Sequence, residues 1–585
     1  MTFRVEKNVM IPMRDGIRLA TDLWIPDHQT SVPTLLVRLP YSKDAYPAAE
    51  IDYPTNPNIF RLLMEGYAIV YQDCRGTGES EGIFDPLMNE ADDGVDTVEW
   101  IGRQKWCSGS IGTFGHSYLG FTQWATASRA PEGLKAIAPA VSAPDFYAAP
   151  FYSAGGALSW HAVWFWANII SLTPTNNANR SDLQPLAIMN EAIAMLENAQ
   201  EHLKMNPPIE QDLYQNLFSW WESMLMHPER DSYWTDSAPS EHLDSVSVPA
   251  LSIGGWFDLF AGETVKAYTR MRSEGATRAA REGQRLIMGP WDHAYLLGDY
   301  HDRQFGPTSS VYSADLTQAH LDFFDEHLRA PSNMPSPAAA PVRIFVMGVN
   351  QWRDEQDWPL PDTTYVDHHL SGGATPENEG RLNVSPTVTA GAAQYEYDPS
   401  NPVPTTGGRL MMPASRNQVG PVDRQIVGKR DDVLVYSTPP LVDPVEVTGF
   451  VTAILFVSSS AVDTDFTVKL LDVDPSGRAT YLTDGIVRMR YRNSLTEPTL
   501  LEPETVYEVT VDLAVTSNVF LPGHRIRAEI SSSDFPRYDR NPNTGSEIAT
   551  SSSWITATNR VHYGPDYPSR LVLPVINRTT NTDTV

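Results

Sequence analysis

The spacing of hydrophobic and polar positions changes twice along this chain of 585 residues. From about residue 8 to residue 142, short apolar runs alternate with stretches of helical periodicity. The runs 34–39, 68–72 and 134–140 predict buried strands, and 92–102 predicts a helix. This alternation is typical of a mostly parallel sheet covered by helices.

The same alternation returns at 249–253 and 285–289, before an amphipathic helix at 316–328. The intervening segment differs, because it has helical periodicity at 186–203 and an aromatic cluster, WHAVWFW, at 160–166. We therefore predict one α/β domain, residues 1–144 and 242–351, interrupted by an all-helical insertion at 145–241 of the kind that forms a cap beside an active site. The aromatic cluster fits the core of a helix bundle and a substrate pocket equally well.

Helical periodicity ends near residue 352. Alternating runs at 445–457, 466–473, 506–513 and 524–530 are separated by Pro, Gly, Asn and Asp. They predict a C-terminal β-sandwich of jelly-roll type over residues 352–585. The segment 370–408, rich in Gly, Pro, Thr and Asn, is predicted to be irregular loop.

Composition narrows the possible partners. The chain has 43 Lys and Arg against 72 Asp and Glu, a net charge of −29, so nucleic acid is not an expected partner. Two cysteines exclude a disulfide framework and are expected to be buried thiols. The N-terminus lacks the features of a signal peptide, and no window approaches the roughly 18 apolar residues of a membrane span. We expect a cytoplasmic enzyme without metal or cofactor.

The hexapeptide Gly115 to Gly120, GHSYLG, places a serine where a strand at 110–114 turns into a helix at 121–130. Such a turn strains the serine backbone and lifts its hydroxyl clear of the sheet. A strict G-x-S-x-G requires glycine at position 119, which is Leu119 here. Because a Gly/Ser turn alone is more often only a turn, the assignment of Ser117 as nucleophile depends on partner residues.

A nucleophilic serine needs a histidine base and a carboxylate that orients the imidazole. In α/β-hydrolases the chain order is Ser, then acid, then His, on loops after strands. Asp258 follows the predicted strand 249–253, and His293 follows 285–289, so both occupy suitable loops. The competing acids are Asp292, Asp231 and Asp236, and the competing histidines are His116, His161, His301 and His320.

Acyl transfer also requires hydrogen-bond donors for the developing oxyanion. The backbone N–H of Tyr118, directly after the nucleophile, is one candidate. The Tyr41 hydroxyl, on the loop after strand 34–39, is a second. Without further information, an aromatic packing role is favoured for Tyr41.

These residues and their surroundings resemble the cocaine esterase branch of the CocE/NonD and X-Pro dipeptidyl peptidase superfamily of α/β-hydrolases. The similar blocks are RLPYSK around Tyr41, GHSYLG, GGWFD ending in Asp258 and GPWDH ending in His293. Further similar stretches are DCRG (73–76), 352–360, 458–469 and 517–525, so the resemblance covers nearly the whole chain.

The resemblance implies that Ser117 is the nucleophile, His293 the base and Asp258 the orienting acid. It implies an oxyanion hole formed by the Tyr41 hydroxyl and the Tyr118 N–H. It also implies an acyl pocket formed by Phe151, Trp166, Phe260, Met411 and Met412. Phe151 stands where the family is expected to have tryptophan, and the methionine pair replaces leucine and phenylalanine, so the pocket differs in shape.

His116 replaces an apolar residue beside the nucleophile, where it can donate to substrate or pack, and packing is favoured.

The expected activity is a serine carboxylesterase acting on small esters with an aromatic, benzoyl-type or short acyl group. The alternatives are an amidase, acylase or X-Pro dipeptidyl peptidase and, without catalysis, a carbohydrate-binding or scaffolding protein. Asp258 is followed by Leu259, Phe260 and Ala261, which weakens the peptidase alternative because that chemistry needs a carboxylate for the substrate amine. Relatives suggest a homodimer.

Overall fold

The computed structural model describes residues 2–27, 31–44, 55–173, 185–294, 296–329, 340–374, 378–411 and 419–578. Its first sheet consists of ten strands: β1 (Phe3–Pro12), β2 (Arg18–Pro26), β3 (Val32–Leu39), β4 (Ala68–Asp73), β5 (Cys107–His116), β6 (Leu134–Ala140), β7 (Leu251–Gly255), β8 (Arg285–Gly289), β9 (Val342–Val346) and β10 (Gln351–Glu355). The spatial order is β1-β2-β4-β3-β5-β6-β7-β8-β9-β10. From β4 to β9 every neighbouring pair is parallel, as the sequence predicts.

Helices cover this sheet. Those belonging to it are α1 (Ile59–Met64), α2 (Glu90–Gly102) and α3 (Tyr118–Ala127), followed later by α10 (Ala261–Glu274), α11 (Arg278–Glu282) and α12 (Leu316–Leu328). The strands β4, β6 and β7 are buried along nearly their whole length because helices pack on both faces, which explains their predominantly apolar sequences.

Between β6 and β7 the chain forms a helical insertion. Its helices are α4 (Trp160–Ser171), α5 (Pro185–Glu197), α6 (Ala199–Leu203), α7 (Asp212–Leu217), α8 (Ser219–Leu225) and α9 (Ser232–Thr235). The single helical stretch predicted at 186–203 is broken at Asn198, whose φ of −111° and ψ of 26° leave the helical region. Asparagine favours such breaks because its side chain bonds locally to the backbone, here to the Ala194 carbonyl at 2.8 Å.

The C-terminal part is rich in strands. These are β11 (Thr363–Ser371), β12 (Gly380–Asn383), β13 (Gly391–Tyr397), β14 (Leu434–Ser437), β15 (Val445–Ser459), β16 (Asp465–Val473), β17 (Ala479–Arg488), β18 (Tyr507–Phe520), β19 (Arg525–Ser531), β20 (Ala557–Tyr563) and β21 (Arg570–Ile576). They form one network with the path β13-β20-β15-β21-β11-β12-β14-β19-β16-β17, and β18 pairs with β15.

The prediction of an irregular loop at 370–408 is wrong. That segment contains β12 and β13, and β13 pairs with β20 over its full length. Within β13, Ala393, Tyr395 and Tyr397 are buried while their neighbours are exposed or half-buried. The period of two is therefore present, but the flanking turn residues hide it from a compositional argument.

Two further observations concern the cysteines and the length of the helices. Cys74 and Cys107 are buried and free, which confirms that the chain has no disulfide framework between them. Among the described residues, no helix combines the length and the apolar composition that crossing a membrane requires.

Candidate active site

Four of the predicted site residues lie just beyond the carboxyl ends of strands in the parallel sheet. Tyr41 follows β3, Ser117 follows β5, Asp258 follows β7 and His293 follows β8. Parallel strands bring their carboxyl ends to one edge, where ligand sites of open α/β sheets lie. The topology therefore gathers residues that are up to 252 positions apart in the sequence.

The turn at Ser117 has the strained backbone that the hexapeptide predicts. Ser117 has a φ of 55° and a ψ of −124°, a region that non-glycine residues rarely occupy. A Cβ on Gly120 would overlap the Ser142 side chain, and one on Gly115 would lie 2.6 Å from Leu119 Cβ. The second glycine therefore stands at 120 rather than 119, because position 120 is where α3 crosses the loop after β6.

Ser117, His293 and Asp258 form a continuous hydrogen-bonded line. The His293 Nε2 lies 3.2 Å from the Ser117 Oγ, and the His293 Nδ1 lies 2.9 Å from the Asp258 Oδ1. Ser117, His293 and Asp258 are 7%, 6% and 0% exposed, respectively, so this line is shielded from bulk water. The geometry suits proton transfer from the serine hydroxyl to an imidazole whose tautomer the carboxylate sets.

The competing acid, Asp292, is engaged differently. Its Oδ1 accepts a hydrogen bond from the Ala294 backbone N–H at 2.6 Å, whereas Asp258 bonds the His293 ring. The Asp231 carboxylate accepts from Tyr233 N at the start of α9 and lies 2.7 Å from the His227 Nδ1, within the insertion.

Tyr41 meets the insertion at its hydroxyl. The Trp166 Nε1 on α4 donates a hydrogen bond to the Tyr41 hydroxyl oxygen at 3.2 Å, and Tyr41 is 7% exposed. Accepting this bond occupies an oxygen lone pair and not the O–H. The Trp166 ring also stacks on Tyr118, with ring centres 5.9 Å apart and an interplanar angle of 14°.

The Tyr118 side chain is held by a buried polar network that the sequence did not reveal. Its hydroxyl donates to the Glu90 Oε1 at 3.0 Å and accepts from Leu87 N at 2.8 Å, while Glu90 pairs with the Arg38 guanidinium at 3.0 Å. Burial raises the pKa of the Tyr118 phenol well above its usual value, so it stays protonated. This network anchors the first residue of α3, whose backbone N–H points out of the helix N-terminus.

Aromatic side chains from two parts of the chain form one apolar cluster at this edge. Phe151 packs against Trp166 with ring centres 5.3 Å apart, and Phe146 lies 5.9 Å from Phe151 and 5.4 Å from Phe260. Phe260 in turn lies 5.6 Å from the His293 ring. The sequence singled out three of these rings, but it missed Phe146, which bridges them.

Of the two predicted pocket methionines, Met411 is 3% exposed and belongs to the large buried hydrophobic core that also contains Phe151, Trp166 and Phe260. Met412 lies outside the described residues. The strand-rich part of the chain thus contributes a side chain to that core.

The aromatic stretch of α4 has a divided role. Trp160 packs within the insertion, where its Nε1 donates to the Leu203 carbonyl at 2.9 Å and its ring lies 6.2 Å from Trp221. Trp166, less than two turns later, contacts Tyr41 instead. Trp160 therefore fits the core interpretation of the stretch, whereas the substrate-pocket interpretation stays a prediction for Trp166.

His116 is buried beside the nucleophile. Burial, with a smaller contribution from the charge of His293, lowers the pKa of His116 to about 3. The imidazole is therefore neutral at neutral pH, and it can contribute a hydrogen bond but not a charge.

The three residues that follow Asp258 in the sequence carry no carboxylate. Leu259, Phe260 and Ala261 follow it, and the next acidic residue, Glu263, pairs with the Lys266 ammonium at 2.8 Å. The side of the site formed by these residues is apolar.

Comparisons with known proteins identify the family. Residues 15–295 match the X-Pro dipeptidyl-peptidase (S15) family, and residues 337–572 match the X-Pro dipeptidyl-peptidase C-terminal non-catalytic domain. The cocaine esterase of Rhodococcus sp. (strain MB1 Bresler) is 46% identical over 98% of this chain and 99% of its own length.

Two solved structures share the fold over nearly the whole chain. An α-amino acid ester hydrolase has a TM-score of 0.82 at 25% identity and covers 98% of this chain and 96% of its own. An aminopeptidase from a marine sediment Thaumarchaeota archaeon has the same TM-score and identity, covering 98% and 97%. Since the Rhodococcus match spans both chains almost completely, this protein belongs to the cocaine esterase branch of the X-Pro dipeptidyl-peptidase (S15) family of α/β-hydrolases.

Proposed function

We propose that this protein is a serine carboxylesterase that hydrolyses small esters with an aromatic, benzoyl-type or short acyl group. The observation that carries the proposal is the line from the Ser117 Oγ through His293 to Asp258, with distances of 3.2 and 2.9 Å. The name of the Rhodococcus relative, an esterase, supports the same class.

In the acylation step the Ser117 Oγ attacks the ester carbonyl carbon while the His293 Nε2 accepts its proton. The carbonyl oxygen becomes an oxyanion, and Asp258 stabilises the imidazolium that forms. When the tetrahedral intermediate collapses, the C–O bond to the alcohol breaks and His293 gives its proton to the departing oxygen. The products of this step are an acyl-serine and a free alcohol.

In the deacylation step a water molecule takes the place of the alcohol. His293 accepts a proton from this water, and the resulting hydroxide attacks the acyl carbon. Collapse then returns the proton to the Ser117 Oγ and releases the carboxylic acid. The two steps together restore the enzyme to its starting state.

We assign oxyanion stabilisation to the Tyr41 hydroxyl and the Tyr118 backbone N–H. The bond from Trp166 supports this role, because it orients the Tyr41 oxygen without using its O–H. Each such donor is worth about 2.7–4 kcal/mol in the transition state.

We assign the acyl group to the apolar cluster of Phe151, Trp166, Phe260 and Met411, with Met412 as a further candidate and His116 as a neutral part of the wall. All four residues belong to one large buried core, to which both the insertion and the strand-rich part contribute. This supports a division into an α/β-hydrolase domain (1–144 and 242–351), a helical cap (145–241) and a C-terminal jelly roll (352–585), with the pocket where the three meet.

Amide hydrolysis is the competing function, since one structural neighbour is named as an aminopeptidase and the matching family model is that of X-Pro dipeptidyl-peptidases. Initial rates with p-nitrophenyl benzoate and with Gly-Pro p-nitroanilide separate the two. We expect rapid release of nitrophenol from the ester, abolished by Ser117→Ala, and little release of nitroaniline. Faster cleavage of the anilide than of the ester would overturn the proposal.

A further inference from the structure

Two of the sequence blocks, RLPYSK and DCRG, contain charged residues outside the Ser117–His293–Asp258 triad that lie close to the Tyr41 loop. RLPYSK contains Lys43, and DCRG begins with Asp73. The strands β3 and β4 are parallel neighbours, and their register places Leu39 beside Asp73. The loop that carries Tyr41 therefore leaves the sheet directly next to the Asp73 carboxylate.

Asp73 ties the Tyr41 loop to the loop that follows β4. Its Oδ1 accepts a hydrogen bond from the Lys43 backbone N–H at 2.6 Å, and its Oδ2 accepts one from the Glu79 backbone N–H at 3.1 Å. Asp73 is fully buried. A Cβ on Gly78 would overlap the Asp73 carboxylate, so glycine at this position lets the second loop close on that carboxylate.

The Lys43 ammonium adds a charged connection to the same carboxylate. Its side chain has no exposed surface, and its Nζ lies 3.0 Å from Asp44, 3.6 Å from Asp73 and 3.7 Å from Asp22. Burying a lysine ammonium costs folding free energy unless carboxylates compensate its charge. The Lys43 cluster is therefore a buried ion-pair network and not a surface ion pair.

Backbone strain indicates that the loop needs this restraint. Ser42, between Tyr41 and Lys43, has a φ of 65°, a conformation that non-glycine residues adopt only where the surroundings impose it. Two hydrogen bonds restrain its neighbours on either side: the Asp73 bond to Lys43 N and the Trp166 bond to the Tyr41 hydroxyl.

We propose that Asp73 and Lys43 are positioning residues that hold the Tyr41 hydroxyl where the oxyanion forms. This inference rests on the proposed esterase function. It assigns no contact with substrate to either residue. Their contribution to the rate passes through Tyr41.

A double-mutant cycle with Asp73→Asn and Tyr41→Phe tests this inference, with kcat and KM measured on p-nitrophenyl benzoate. Asp73→Asn keeps an acceptor for Lys43 N but loses the charge and turns an amide toward Glu79 N. We expect kcat to fall about tenfold with little change in KM, because a displaced group mainly affects the transition state. In the Tyr41→Phe background, Asp73→Asn should change kcat by less than about twofold.

Asp22→Asn is the matched control. Asp22 is also a buried carboxylate of this cluster, but it reaches Lys43 only at the ammonium, at 3.7 Å. Its kcat should stay within about twofold of the native enzyme, since it does not hold the loop backbone. An equal loss of kcat from Asp73→Asn in the native and the Tyr41→Phe backgrounds, or no loss at all, would overturn the inference.

A replacement variant, Lys43→Met, and the Tyr41→Phe single variant of the cycle complete the test. If circular dichroism shows that Asp73→Asn does not fold, Lys43→Met takes its place in the cycle. Lys43→Met removes the ammonium but keeps the hydrogen bond from the backbone N–H of residue 43 to Asp73. An unchanged kcat in Lys43→Met would then refute the inference. If Tyr41→Phe alone leaves kcat unchanged, the oxyanion assignment itself fails, which is distinguishable from a failure of the tether.

Discussion

The two sheets of this protein bury charged side chains in different ways. At the edge of the first sheet, Asp258 is fully buried and bonds His293, whose charge changes during the proposed reaction. In the second sheet, Arg488 is 2% exposed and bonds Asp465 at 2.9 Å and Asp539 at 2.6 Å. An imidazole gains and loses a proton near neutral pH, whereas a guanidinium stays charged.

The two kinds of buried pair therefore have different roles, one in the reaction and one in the stability of the fold. A carboxylate facing a titratable base can stabilise a charge that appears only in the transition state. A carboxylate facing a permanent cation is already paired in the ground state, so it does not stabilise a charge that appears only in the transition state. Other buried pairs of the second kind in the strand-rich part are Arg424 with Glu529, Arg490 with Asp463, and Arg409 and Arg537 with Asp484.

The largest expected effect is on the first kind of pair. Asp258→Asn keeps the shape of the site but offers the His293 Nδ1 an amide in place of a carboxylate. We expect kcat on p-nitrophenyl benzoate to fall about 10⁴-fold, as in other Ser-His-Asp enzymes in which the acid is converted to its amide. The unfolding midpoint should change little compared with this loss.

Asp292→Asn is the control for that variant, because Asp292 is buried and adjacent to His293 but bonds the Ala294 backbone. Its loss of kcat should be far smaller. If Asp292→Asn costs as much as Asp258→Asn, the assignment of the orienting acid is incorrect.

A smaller and different effect is expected in the second sheet. Arg488→Met leaves Asp465 and Asp539 buried without their shared cation, which costs about 3–5 kcal/mol of folding free energy. Burial raises the pKa of Asp465 to about 6 even with Arg488 present. Removing the Arg488 charge therefore makes the ionised, buried Asp465 carboxylate still less favourable. Chemical denaturation should show a lower midpoint, while kcat per folded molecule stays within a few-fold of the native value.

Arg278→Met provides the comparison, since the Arg278 side chain is 82% exposed where it pairs with Glu282. Its effect on stability should be below about 1 kcal/mol. A large loss of kcat per folded molecule in Arg488→Met would show that the strand-rich part takes part in the chemistry.

The sequence predicted much of the first sheet. The strands at 134–140 and 285–289 match β6 and β8 residue for residue, and the helix at 316–328 matches α12. These elements have apolar patterns strong enough to be read locally, because the strands are buried by helices on both faces. The β12–β13 region was missed because short strands between turn-forming residues carry a weak signal.

The candidate site shows the same limit. Ser117, Asp258 and His293 could be proposed from chain order and strand ends. The contact between Trp166 and Tyr41 spans 125 positions, and that between Tyr118 and Glu90 spans 28. Such contacts depend on how helices and loops pack around the sheet, which local periodicity does not encode.

The proposed mechanism requires Ser117 to carry the acyl group between the two half-reactions. Rapid acid quench after mixing with p-nitrophenyl benzoate, followed by intact-mass and peptide mass spectrometry, measures this directly. We expect one benzoyl group in place of one hydrogen, located on Ser117, and none on the Ser117→Ala variant. A benzoyl group on another residue, or product formation by Ser117→Ala at the native rate, would contradict it.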